Sequence, residues 1–208
     1  ALSGSRSFER LFRRVMNDEQ GRGILEDGRS LLTVLEDRER LSRLPEGSLG
    51  REYLEFMESE QLTGVGLLAA SEKDSEVEIF LDDRGRRLGE RLRDAHDLWH
   101  VIAGYGRDLV GETALLAFTF AHTRNLGLAF VATVGTLRLR REGYRDSFKV
   151  VGGAYRRGKR AAFFPAVDWE ALLGSPMGEV RERVGVGEPP AYEPVRTADM
   201  PVLASGDL

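Results

Sequence analysis

Apolar residues recur along most of this chain at the three- and four-residue intervals of a helix face. Residues 6–17 put Phe8, Leu11, Phe12, Val15 and Met16 on one side. Residues 30–44 carry Leu31, Leu32, Val34, Leu35, Leu41 and Leu44 and read as one helix. Gly47 and Gly50 punctuate the chain before a third helix with Tyr53, Leu54, Phe56 and Met57. The clearest pattern runs over 83–103. There Leu88, Leu92, Ala95, Trp99 and Ile102 recur at spacings of four, three, four and three. Gly104 and Gly106 end it.

Further helices are predicted over 107–123, 126–140 and 143–160. Asp168 is placed to cap another that reads Trp169, Leu172, Leu173. A short helix around 176–184 precedes a Pro-rich tail, 189–208, expected to be extended and packed on the surface, or frayed. Only residues 76–81 alternate like a strand, and one strand makes no sheet, so they read as loop or helix entry. The expected fold is all-α, a single helical domain over 1–208 without internal repeats.

Composition narrows the classes. The length of 208 residues suits one domain, with two small ones as the alternative. With 41% apolar and 31% charged residues, the chain can bury a core of its own. A net charge of -4 argues against general nucleic-acid binding. The absence of cysteine excludes disulfides, thiolate metal sites and thiol catalysis, and it fits a reducing compartment. Residues 1–20 contain no apolar run of signal-peptide length, and a targeting segment removed ahead of Ala1 stays open.

The longest apolar stretch, 113–137, holds His122, Arg124 and Asn125 near its middle. An arginine at a bilayer centre costs about 3 kcal/mol, so two consecutive buried helices are expected rather than a span. Basic residues gather downstream: from Arg138 to Arg160 there are nine, against two acidic. Such a run is either a solvated helix face or a contact for anionic headgroups, a carboxylate or a phosphate.

Two of the three histidines, His96 and His100, are four apart and share one helix face. Counted from Leu88 at about 100° per residue, the apolar stripe lies within roughly 40° of zero. On the same count His96 falls near about 80°, His100 near about 120° and Asp97 near about 180°. Imidazoles at i and i+4 let one helix grip a transition metal. Asp97 can be a ligand or an orienter of an imidazole. Glu112 follows the turn at Gly104-Tyr105-Gly106, and two helices joined by a short turn pack antiparallel, so it can face back to the histidines. Two neutral histidines and two carboxylates balance a divalent cation in a half-buried site. The competing reading makes the histidines ordinary, partly buried helix residues. His122 lies ten residues past Glu112, roughly 15 Å along a helix, and is not expected to be a direct ligand.

The run His96-Asp97-Leu98-Trp99-His100, eleven residues, then Glu112 resembles the motif of the Coq4 family of coenzyme Q biosynthesis proteins. Other segments resemble the family pattern. They are Gly21-Arg22, the stretch from Leu44 through Tyr53 with Phe56-Met57, Arg91 through Asp94, Gly158-Lys159-Arg160, Trp169-Glu170, and Pro176 through Arg181. The likeness covers roughly residues 6–195, with one departure: His122 stands where many members carry Gln before Thr.

The resemblance implies an all-helical fold and a divalent metal at His96, Asp97, His100 and Glu112, which would also be the catalytic residues. Zinc comes first, with iron or cobalt as alternatives. It implies ubiquinone biosynthesis on a polyprenylated precursor, and oxidative decarboxylation and hydroxylation at ring carbon C1 with molecular oxygen as co-substrate. It implies work beside other coenzyme Q biosynthesis enzymes, peripheral membrane attachment, and a homodimer among the expected assemblies. The membrane would be the cytoplasmic face of a bacterial inner membrane, or the mitochondrial matrix side if a targeting segment was removed. Arg- and Gly-rich composition leans to the bacterial case.

Leu115, Leu116, Phe118, Phe120, Leu126, Leu128, Phe130 and Val134, beside small Gly127, Ala129 and Gly135, read either as core or as a groove for an isoprenoid tail. A metallopeptidase would need Glu after the first His and a third His ligand; a His-Asp phosphohydrolase would need more ligands than His122 can add. The remaining rival is a lipid-binding scaffold whose zinc is structural.

Overall fold

The structure, a computed structural model, describes residues 2–61 and 82–195. Side-chain burial and capping explain its elements. Asp18, Ser30, Asp37, Asp82, Asp108, Asn125 and Asp168 each accept a backbone N–H two or three residues ahead, which starts the helix that follows. Helices α1 (Leu2–Asn17) and α2 (Glu19–Asp27) meet at Asp18, and α2 ends on left-handed Gly28. The sequence pattern had not predicted α2. Its apolar face is only Ile24 and Leu25.

The helix expected over 30–44 is two, α3 (Leu31–Glu36) and α4 (Arg38–Ser42). Asp37 breaks it: its backbone leaves the helical region at ψ 73 and its carboxylate caps Arg40 N–H instead. After α5 (Leu49–Gln61), the helix expected over 83–103 is likewise divided, into α6 (Asp83–Asp94) and α7 (His96–Ala103), at Ala95. Ala95 keeps helical dihedrals, so the stripe Leu88 to Ile102 continues across the break. The strand-like run 76–81 lies outside the described residues.

The core is built on α8 (Leu109–Thr123), with α9 (Leu126–Arg141) and α10 (Ser147–Arg160) packed against it. A turn of 3-10 helix over Phe164–Ala166 and the short α11 (Trp169–Leu172) and α12 (Met177–Arg183) close the other side. Phe164 is central: its ring lies 5.0 Å from Phe118, 5.5 Å from Trp99 and 5.0 Å from Trp169. Such edge-to-face packing of large rings supplies much of the burial. The described residues are all-helical, and Asp168 caps α11 as the sequence predicts.

Two expectations need correction. The apolar stretch 113–137 does form two helices, divided at Arg124 (φ 56), and among the described residues no helix is long and apolar enough to cross a membrane. But α9 is not a buried helix. Leu126, Phe130, Val131, Val134 and Leu137 are exposed, because only the face with Ala132, Thr136 and Leu139 meets the core. The eight apolar residues read as one core or groove therefore divide. Leu115 and Phe118 are core, while Leu126, Phe130 and Val134 point outward.

Candidate metal centre

α7 carries three of the four candidate ligands, and its far end is held with unusual completeness. A helix leaves its last four carbonyls without partners. Here His100 O accepts from Gly104 and Tyr105 N–H. Arg181 donates to Val101 O at 3.1 Å and Ile102 O at 3.1 Å, and Arg157 donates to Ala103 O at 2.8 Å. Two cations at a helix C-terminus also suit its dipole. Gly104 takes a left-handed φ of 71°, which lets the chain turn sharply and aim the Tyr105 carbonyl back at the helix.

That carbonyl sits 2.8 Å from His100 Nδ1. A carbonyl only accepts, so Nδ1 carries the proton and the Nε2 lone pair is left free. His100 is fully buried, and its Nε2 has no hydrogen-bond partner among the described residues. A buried acceptor without a partner is costly unless something binds there. The nearest acidic atom is Glu112 Oε2, at 3.4 Å. The same oxygen lies 3.9 Å from His96 Nε2, and the two imidazole rings meet edge to face at 4.8 Å. Glu112 thus reaches the histidine pair, as its spacing predicts.

Asp97 approaches from the other side. Its Oδ1 lies 3.3 Å from His96 Nδ1 and accepts from Arg107 at 2.9 Å. Ligand atoms of His96, Asp97 and His100 all lie within 4.8 Å of one another, close enough to surround one ion. Burial pushes both carboxyls up. For Asp97 the hydrogen bond with His96 and the charge of Arg107 outweigh it; for Glu112 the contact with His100 does, helped by the His96 imidazole and Arg107. Both are held below their ordinary values and are ionised at neutral pH. A free buried imidazole nitrogen whose other nitrogen is fixed by a carbonyl, beside ionised carboxylates, is the donor set a divalent metal requires.

The loop 104–108 that brings Glu112 to the histidines is itself clamped. Asp108 Oδ1 caps Val110 and Gly111 N–H and accepts from Val195 N–H. Tyr192 donates to Asp108 Oδ2 at 2.8 Å while accepting from Gly106 N–H at 2.7 Å. Gly111 fits only as glycine, since a Cβ would lie 2.0 Å from Gly106 O. The described part of the Pro-rich tail, residues 189–195, therefore packs on the site loop and is not frayed. These supports were missed in the sequence. Asp108 was legible as a cap, but backbone carbonyl and tail contacts leave no sequence pattern.

Beside His100 opens a cleft of about 420 Å³, bordered by Phe56, Ser59, Val101, Tyr105 and the acidic Glu52 and Glu55. The Phe56 ring stacks on His100 at 5.9 Å.

The sequence profile of the family described as "Coenzyme Q (ubiquinone) biosynthesis protein Coq4" matches residues 1–190. This chain belongs to the Coq4 family. It is similar to the mitochondrial ubiquinone biosynthesis protein COQ4 homolog of Danio rerio, at 30% identity over 90% of this chain and 67% of the relative. The Aedes aegypti homolog is 29% identical over 88% of this chain and 65% of its own length. The Aspergillus niger protein is 29% identical over 88% and 60%. The chain thus spans about two thirds of the length of these curated relatives. Its fold resembles a crystal structure from Nostoc punctiforme PCC 73102, described as a candidate ubiquinone biosynthesis protein. The TM-score is 0.63 at 21% identity, covering 88% of this chain and 82% of that one.

His122 takes no part in the centre. It is packed against Phe164 (4.9 Å, stacked) and Phe118 (4.9 Å). Burial, with the charges of Arg14 and Arg124, pushes its pKa from 6.5 down to about 3. Between those values the unfolded chain binds a proton that the folded chain refuses, so stability falls as pH drops below 6.5. From about pH 7.5 to about pH 5.5 the loss from this group is about 1.4 kcal/mol. Urea unfolding at both values, compared between the wild type and His122→Leu, should show that much less pH dependence in the variant.

Proposed function

We propose that His96, Asp97, His100 and Glu112 form the centre of a metal-dependent oxidative decarboxylase of ubiquinone biosynthesis, acting on a polyprenylated 4-hydroxybenzoate-type acid. The observation that carries this reading is the buried, unpartnered His100 Nε2 facing Glu112 within a chain of the Coq4 family. His96, His100 and Glu112 would hold a divalent cation such as zinc directly. Asp97, tied to Arg107, would orient His96 and add balancing negative charge. When bound, such a cation supplies Lewis acidity that binds a carboxylate or phenolate and favours an electron-rich ring.

The cleft beside His100 is of a size to take one aromatic acid. Of the four candidate ligands only His100 borders it, and its charged lining is Glu52 and Glu55, so a substrate carboxylate would have to be held by the cation. Phe56, stacked on His100, gives it an aromatic wall for a ring. The overall change is balanced with oxygen as oxidant: the aromatic acid, dioxygen and water give the phenol, carbon dioxide and hydrogen peroxide. The ring supplies the electron pair, and redox-inactive zinc suffices.

The chain would work attached peripherally to a membrane, beside the other enzymes of the pathway. A second reading, a non-catalytic lipid-binding scaffold with a structural zinc, draws on the exposed apolar face of α9. Carbon dioxide release from a prenylated 4-hydroxybenzoate under oxygen separates the two. Turnover that chelation abolishes supports the enzyme. Bound metal with no turnover, membrane included, supports the scaffold.

A further inference from the structure

The exposed large apolar side chains are gathered in one place. Among the described residues, all except Leu32 lie on α9 or at the start of α10: Leu126, Phe130, Val131, Val134, Leu137 and Phe148. Phe130 is 70% exposed and Phe148 57%. On α9, Leu126, Phe130, Val134 and Leu137 fall within roughly 40° of one line, so they form a stripe along the helix. A stripe of this kind, with phenylalanine at its centre, is not scattered surface.

The stripe ends in positive charge on both sides. Residues 113–141 contain no acidic residue, and they place Arg124 ahead of the stripe and Arg138, Arg140 and Arg141 at its end. Arg145 and Lys149 follow beside exposed Phe148. Of the two nearby carboxylates, Glu142 is already tied to Arg138 at 2.9 Å. This local excess of positive charge sits on a chain whose net charge is -4.

We infer that this face of α9 and the start of α10 is a docking surface for an anionic lipid bilayer. Apolar side chains would enter the acyl boundary while the arginines meet headgroup phosphates, as in helices that lie in the interface plane. Charge argues against a second copy as the occupant. Pairing two α9 helices in parallel sets Arg138, Arg140 and Arg141 against their own copies, and pairing them antiparallel sets them against Arg124. In either register the adjacent carboxylate, Glu142, is already tied to Arg138 within its own chain.

The surface also bears on the metal centre. Gly135, on the inner side of α9, packs so closely on α8 that a Cβ would lie 2.9 Å from Thr113 Oγ1, one residue from Glu112. Docking would therefore hold the site about one helix spacing, roughly 10 Å, from the lipid. The inference deepens the membrane attachment proposed above and is independent of the metal's identity.

Flotation of the full chain with phosphatidylcholine vesicles, and with vesicles that also contain phosphatidylglycerol, tests it. The wild type should bind the anionic vesicles at least roughly tenfold more tightly, and Phe130→Asn/Val134→Asn should lose at least roughly tenfold while its thermal melt is unchanged. Trp99 and Trp169 are 2% and 1% exposed, so a Phe130→Trp variant supplies an interfacial reporter whose emission should shift to the blue on binding. Anionic-vesicle binding that the double variant retains in full would overturn the assignment of this face and leave membrane attachment standing. No binding to any vesicle would overturn both. A wild-type dimer that the double substitution converts to monomer, without vesicle binding by either, would give the face to a second copy and also overturn the inference.

Discussion

Glu170→Ala should lower the free energy of unfolding by about 3–5 kcal/mol, the largest stability loss expected from a single polar substitution in this chain. Arg91 and Glu170 form a bidentate pair, with both N–O distances 2.7 Å, and the two side chains are only 7% and 8% exposed. Arg91 also donates to Val167 O at 3.1 Å. The pair fastens α6, which leads into the histidine helix, to α11. Removing the carboxylate leaves a buried guanidinium with one carbonyl for company. For a chain of this length the melting temperature should drop on the order of 10 °C. Replacing both partners by leucine or methionine should cost less than either single change, because neither buried charge is then stranded. Thermal melts of the three variants check this. Equal losses in the double and single variants would show that packing, not the charge pair, matters.

Glu112→Gln should bring bound metal from about one per chain to a trace while leaving the fold intact. The amide keeps the shape but gives up the negative charge that faces both imidazoles at 3.4 and 3.9 Å. Arg107→Ala acts one step further out, through Asp97, and should weaken metal binding by about 10–100-fold without abolishing it. Competition against a chromogenic chelator measures both. If the two variants bind as tightly as the wild type, the metal is held elsewhere.

Much of this was legible in the sequence because helix periodicity, caps and the His-His spacing are local. The same locality explains the misses. Asp37 and Ala95 sit inside continuous apolar patterns, and nothing in periodicity alone shows that Asp37 caps the next helix. α9 reads as buried because it is apolar all round, and burial depends on what covers a face. The segments that resembled the family separately are in fact partners. Arg91 holds Glu170; Gly50 N–H donates to Leu173 O, while Gly47 O accepts from Met177 N–H; and Arg181 closes the end of α7. Such long-range pairings are invisible in one sequence until the fold brings them together. The support of His100 by a Tyr105 carbonyl is invisible for another reason: every residue carries a carbonyl, and only the fold decides which one reaches His100.

The most direct test of the central claim is elemental analysis of the purified chain beside Glu112→Gln. About one divalent metal per wild-type chain, and almost none in the variant, is the expected result. A wild-type chain that binds no metal, even after incubation with zinc, iron or cobalt, would return His96 and His100 to ordinary helix residues and contradict the account.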